Sequence, residues 1–479
     1  MKIFNKMRKL DTGKPSLFFL MFIIWIVSCL FVCNQNAGGD KTALLLLVSL
    51  SYLVGFSFLG RIENLYKEFH GPAYYLFFVV CLIKYFVMPL SLCLSQSFDT
   101  IGPSVTNSSF NIAVMLIIYE MICIVLLRVL FLKYYISARK EYVYSARIKS
   151  GNSRVMLIFW GVVLGGVILS FVPNFNIIPK NLFVLTEDFE AQDTVVSFGV
   201  IVTWWKYLFF LSTFSFLYYM YKKNSNRVFY YLSVLLIFFF LGLITGTSRW
   251  SILFFLLLSL YLCSKMFGSR VRKIILPISL LSLATIISIT LYKFSWAFQY
   301  SENVYIDFFQ VMMGQLQSYF SGPNLVAQAL EMENNSMFAH KITFSTFIND
   351  FLGSIPSVAS SIDQTDRINY YFNRYLLDWY SDNTSQIIPM TAVGAIYFNM
   401  LFSPVFTVLF TWLGFVFEFK GISDNRIYVK FIFLYAAFWC VLAICFCPQI
   451  IWGNLIGFVF PVFIIYKFLM AKYRCHELS

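Results

Sequence analysis

Charge is scarce in this chain. Asp, Glu, Lys and Arg make up 12% of its 479 residues, against 59% hydrophobic residues and a mean hydropathy of +0.74. A soluble domain carries about a quarter charged residues, so the deficit excludes a chain that lies mostly in water. Histidine is scarcer, with only His70, His340 and His476. No second His or Cys cluster stands near any of them and no carboxylate pair dictates a cation site, so no metal site and no cofactor are expected. Of ten Cys, nine lie in or at the ends of apolar segments without disulfide-framework spacing, and they read as small packing residues. No GxxxxGK[ST] run occurs, and the loops assigned to the cytoplasm are short, which excludes a nucleotide-driven pump and a cytosolic nucleotide-sugar donor.

What the chain has in excess is long apolar runs and aromatic residues, the latter 20% of the total. The runs are continuous and do not follow a 3.6-residue period, as at 44–59, 155–171 and 275–291. Runs of about 18 or more apolar residues cross a bilayer core as helices. The expected fold is therefore all-α, a polytopic helical membrane protein. Twelve spans are expected near 16–34, 42–60, 72–95, 110–132, 155–173, 196–221, 228–245, 250–267, 274–293, 396–419, 427–447 and 452–470. The organisation is 1–293 with about nine spans, 294–395 as one large external loop of amphipathic helices, and 396–479 with about three spans. Residues 16–32 read as a signal anchor.

The net charge of +13 is not spread like that of a nucleic-acid binder. Basic residues gather in short loops, as at Lys133, Arg139, Lys140, Arg147, Lys149 and Arg154, and the alternate connections hold most acids, including Glu187, Asp188, Glu331, Asp350, Asp363, Asp366 and Asp378. The positive-inside bias then places both termini in the cytoplasm and 294–395 outside. Within that loop, residues 305–312 alternate apolar and polar side chains and 361–382 spaces acids and arginines at helical intervals, as helices at a membrane surface do. A break is expected at Pro356.

Charges at membrane depth are functional candidates by default. Arg128 reads as snorkelling to the cytoplasmic end of its span, and Glu120 as a helix-packing group. Lys84 has no evident partner in the sequence. Lys206 follows Trp204-Trp205 and reads either as an interfacial anchor or as a cation facing an external cavity. Arg249 closes the turn Thr245-Gly246-Thr247-Ser248-Arg249, a tight external hairpin suited to cradling an anion. Arg367 and Arg374 lie two helical turns apart on one face, either in i,i+4 pairs with Asp363 and Asp378 or as a guanidinium clamp for diphosphate. His340 is the single external His and a candidate base.

The chain resembles the Wzy-type polymerases, which join oligosaccharide repeat units of bacterial O-antigen or capsule. The resemblance is carried by the span plan with one late external loop and by the Thr-Gly-Thr-Ser-Arg hairpin. It is carried too by Ser321-Gly322-Pro323 with Phe351-Leu352-Gly353-Ser354-Ile355-Pro356, and by Thr391-Ala392-Val393-Gly394-Ala395-Ile396-Tyr397-Phe398-Asn399 leading to Leu413-Gly414. The chain departs from that pattern by an extra residue in the hairpin and by Ala392-Val393-Gly394 in place of a Gly–Glu pair. The resemblance implies an enzyme of the bacterial inner membrane, a metal-independent glycosyltransferase. Its substrate would be undecaprenyl-diphosphate-linked oligosaccharide, and a chain-length regulator is an implied protein partner. Arg249, Arg367, Arg374 and Lys206 would then hold diphosphate, and His340, Asp363 or Asp366 would serve catalysis. Tyr370, Tyr371, Trp379 and Tyr380 would anchor at the interface or stack on sugars. An O-antigen ligase-like enzyme shares the plan. A flippase fits less well, since no inverted repeat is visible.

Overall fold

A computed structural model describes residues 17–34, 40–137, 154–170, 197–224, 226–243, 249–268, 280, 304–355, 358–377 and 386–471. Helices account for nearly all regular structure, and no strand occurs among the described residues. Lipid offers no partner for a backbone N–H or C=O, so each apolar run closes its hydrogen bonds on itself. The N-terminal part supplies the helices α1 (Leu17–Asn34), α2 (Asp40–Glu63), α3 (Pro72–Ser95), α4 (Asn107–Ile136), α5 (Arg154–Ser170), α6 (Ser197–Asn224), α7 (Arg227–Leu243) and α8 (Arg249–Phe267). The hydrophilic segment supplies α9 (Val304–Phe320), α10 (Pro323–Asn334), α11 (Phe344–Leu352), α12 (Ile368–Leu377) and α13 (Met390–Phe398). α14 (Val405–Ser423), α15 (Ile427–Val441) and α16 (Pro448–Phe468) complete the chain.

By length and composition, seven helices among the described residues can cross a membrane: α1 to α4 and the three that follow Asn399. α5, α7 and α8 contain shorter apolar stretches at expected span positions, and the expected span at 274–293 lies outside the described residues. One boundary is corrected. The span expected at 396–419 is interrupted by Asn399, whose φ of 78° stops α13, and by Pro404, which precedes α14. α13 and α14 form an antiparallel hairpin in which Gly394 lies flat against the backbone of Ser403. Pro356 is outside the described residues, and of the helix expected over 361–382 the residues 368–377 form α12, 361–367 are not α-helical and 378–382 lie outside the described residues.

The hydrophilic segment is bolted to one end of the helix bundle by polar side chains, of which Gln317, Ser321, Asn324 and Gln328 are buried. Gln317 donates to the Phe98 carbonyl at 2.8 Å, and Gln328 donates to the carbonyls of Ile101 and Pro103 at 3.1 and 3.0 Å. Thr100 links Asn324 and Gln328 at 2.8 and 3.0 Å, and Glu331 accepts from the Thr106 N–H and hydroxyl at 2.8 and 2.9 Å. All these partners belong to the connection between α3 and α4. Ser321 reaches the Cys445 carbonyl, between α15 and α16, at 2.9 Å. The connections 96–106 and 445–447 therefore share the face that carries 304–398, the same side on which the sequence groups them. The loops holding Glu63, His70 and Asp424 are at the opposite ends of the same helices.

Candidate functional site

The hydrophilic segment converges on Asp350, which the sequence marked only as one external acid among many. Its carboxylate is fully buried on α11. One oxygen accepts from the Tyr397 hydroxyl at 2.6 Å and the Gln449 amide at 2.7 Å, and the other from the Ile368 N–H at 3.1 Å. The Arg367 guanidinium stands 3.8 Å away. Asp350 thus joins α11, the start of α12, the hairpin helix α13 and the start of α16. Burial raises its carboxyl to about 6, against the pull of the Tyr397, Gln449 and Ile368 donors and of Arg367.

Next to this junction, a surface recess of about 420 Å³ is lined by Lys341, Thr365, Tyr370, Tyr371 and Arg374. Arg374 lies over the Tyr370 ring at 5.0 Å and its Nε donates to the Tyr370 hydroxyl at 3.0 Å, which holds the guanidinium in place. Tyr371 donates to Asp366 at 3.0 Å, so its ring is fixed too. Two cations and two oriented phenol rings around a water-accessible hollow suit a ligand that combines anionic oxygens with sugar faces.

The residues expected to act here fall into distinct roles. Asp366 accepts from Thr346 at 2.7 Å, Asn349 at 2.8 Å and Tyr371, and so locks α11 to α12. Asp363 is exposed and accepts from the Thr365 N–H and hydroxyl at 2.9 and 2.7 Å, forming a turn. Those hydrogen bonds hold its carboxyl below the usual range. The salt-bridge reading of Asp363 with Arg367 is corrected: Arg367 bonds Gln364 at 2.6 Å and Ser354 at 3.0 Å and faces Asp350. Arg367 and Arg374 therefore engage different partners, and Arg374 alone lines the recess. Asp378, Trp379 and Tyr380 lie outside the described residues. His340 is exposed in the turn before Lys341, whose carbonyl accepts from Thr346 at 3.1 Å. Arg249 opens α8, and the rest of its hairpin, 244–248, lies outside the described residues. Lys206 is buried on α6, and its neighbours Trp204 and Trp205 donate to the carbonyls of Gly457 and Val162, both at 2.9 Å.

The membrane-depth charges pair across the bundle. Lys84, in a π-helical turn of α3, donates to Glu120 on α4 at 2.7 Å and to the Ile444 carbonyl at 2.6 Å. Glu120 also accepts from Tyr85 at 2.9 Å, Thr391 at 2.6 Å and Thr407 at 2.7 Å. The α13–α14 hairpin is thereby tied to the same carboxylate. At the other end, Arg128 does not snorkel. It is buried, bonds Glu63 at 2.6 Å and lies over the Phe415 ring at 4.4 Å, and His70 meets the same Glu63 at 2.8 Å. Nearby, Glu418 accepts from the Tyr74 N–H at the start of α3 at 2.8 Å.

Sequence reasoning missed Asp350, Tyr397, Gln449 and the pairing of Lys84 with Glu120. Tyr370 was placed as an interfacial or stacking group, not as the clamp of Arg374. Comparison with protein-family models, curated proteins and solved structures returns no match to this chain.

Proposed function

We propose that this chain polymerises undecaprenyl-diphosphate-linked oligosaccharide repeat units into O-antigen or capsular polysaccharide. The reaction would take place at the membrane face that carries residues 304–398, the outer leaflet of a bacterial inner membrane. The observation that carries this reading is the recess of Lys341, Arg374, Tyr370 and Tyr371, built on a segment fastened to apolar membrane-crossing helices. In the step proposed, a hydroxyl of the incoming unit forms a bond to the anomeric carbon of the growing chain. The bond from that carbon to the diphosphate oxygen breaks, and its electron pair leaves on the diphosphate. Arg374 and Lys341 are placed to offset that charge, and the phenol rings to face the sugars. His340, exposed beside Lys341, is the group assigned to receive the hydroxyl proton. Asp363 and Asp366 are given structural roles. Arg367 orders the wall beside the recess.

The test is reconstitution. Purified protein given lipid-linked repeat units alone should produce a ladder of longer glycans, and Arg374→Gln should slow chain growth by about 100-fold while eluting as wild type does. Transfer only onto another acceptor would favour a ligase, and passage of single units across the bilayer without growth would favour a flippase. Either outcome removes the polymerase reading.

A further inference from the structure

We infer that α11 is an interfacial helix whose Phe344–Ile348–Leu352 edge lies among the acyl chains of the surrounding bilayer. These residues recur every fourth position and form one stripe. They are exposed to 76%, 38% and 39%. The helix cannot roll to hide them, because its opposite side is pinned. Thr346 and Asn349 hold Asp366, and Asp350 is bonded to Tyr397 and Gln449. The flank beside the stripe rests on the hairpin helix α13 and on the membrane-crossing helices α14 and α16. Phe347 meets Tyr397 and Phe398 at 5.1 and 5.9 Å, and Phe351 meets Phe406 and Trp452 at 5.8 and 5.9 Å.

Lipid is the occupant because the stripe continues a surface that already faces it. Beyond Phe398, the exposed apolar side chains run through Leu401 and Phe402 to Val405, Leu409 and Trp412. The last three line the outer side of a helix long and apolar enough to cross a membrane. An amphipathic helix abutting such a face settles with its apolar edge in the acyl layer and its polar side at the headgroups. Lys341, three residues before Phe344, and the recess it lines then sit at headgroup depth. A lipid-borne anion would reach them without leaving its leaflet. The inference rests on packing and stands whether or not the reaction proposed above is the right one.

The experiment places a benzophenone side chain singly at 344, at 348 or at the exposed turn residue Ser361 in the full chain. The protein is embedded in nanodiscs of phosphatidylethanolamine and phosphatidylglycerol, irradiated and weighed by mass spectrometry. Lipid adducts at 344 and 348, several-fold above those at 361, are the expected result. Adduct levels at both positions no higher than at 361, or cross-links mainly to a second copy of the chain, would overturn the inference. All three positions are exposed, so the substitutions leave packing intact, and elution volume checks that they do.

Discussion

Lys84 and Glu120 show how much a single side chain decides in this molecule. A buried charge left without its partner costs about 3–5 kcal/mol. Lys84→Met should therefore sharply lower the apparent melting temperature of the detergent-solubilised protein. Lys84→Met combined with Glu120→Gln should be less damaging, because no charge is then left buried, Thr391 and Thr407 still have an amide oxygen to donate to, and the amide NH2 beside Tyr85 can donate to its hydroxyl. A double variant at least as unstable as the single one would refute the pairing. Asp350 makes a pH prediction. Its carboxyl moves from 3.8 to about 6 on folding, so the folded state holds the proton more tightly. That contribution is complete below pH 3.8 and is lost as pH rises through about 6. It amounts to about 3 kcal/mol between those limits. The difference in melting temperature between wild type and Asp350→Asn should narrow or change sign across that window, and a constant difference would contradict the assignment. The sequence displays Lys84 and Glu120 as charges within apolar runs, but nothing in periodicity links two helices, so their pairing was not legible. Asp350 was less so, since one acid in a polar segment carries no local mark of burial.

At the scale of elements, seven of the twelve expected spans correspond to helices long and apolar enough to cross a membrane, and these were legible because lipid forces long uninterrupted apolar runs. The α13–α14 hairpin was not, since both arms are apolar and only Asn399 and Pro404 mark the break. Its closeness rests on Gly394, where a Cβ would overlap the Ser403 carbonyl oxygen. Gly394→Ala should destabilise the protein by about 1–3 kcal/mol by prying the arms apart. Gly161→Ala, in α5 with open space around it, should instead be stabilising by about 0.5–1 kcal/mol. Thermal unfolding of the two variants side by side tests this, and equal effects would mean that the hairpin is not tightly closed. In the hydrophilic segment, the helical spacing of acids and arginines over 361–382 was only partly right as a helix signal, since α12 holds Arg374 but not Arg367. The two arginines do not share one face of α12, because Arg367 lies just before that helix, where it bonds Gln364 and Ser354 and stands beside Asp350.

For the whole molecule, the segregation of acids and bases in the sequence groups the connections that the structure brings together. The segment 304–398 and the connections 96–106 and 445–447 occupy one end of the bundle, and the Glu63–His70–Arg128 cluster occupies the other. Gln317, Asn324, Gln328 and Glu331 make that grouping physical, and none of them announces its partner in the sequence. A diphosphate carried on a lipid is the ligand proposed for the recess at that end of the bundle. Native mass spectrometry of the solubilised protein with undecaprenyl diphosphate measures this directly. Wild type should retain the lipid, and Lys341→Gln with Arg374→Gln should retain it at least about tenfold less well, since each lost charge-assisted contact is worth roughly 1.5–3 kcal/mol. Equal retention by the wild type and the double variant would contradict it.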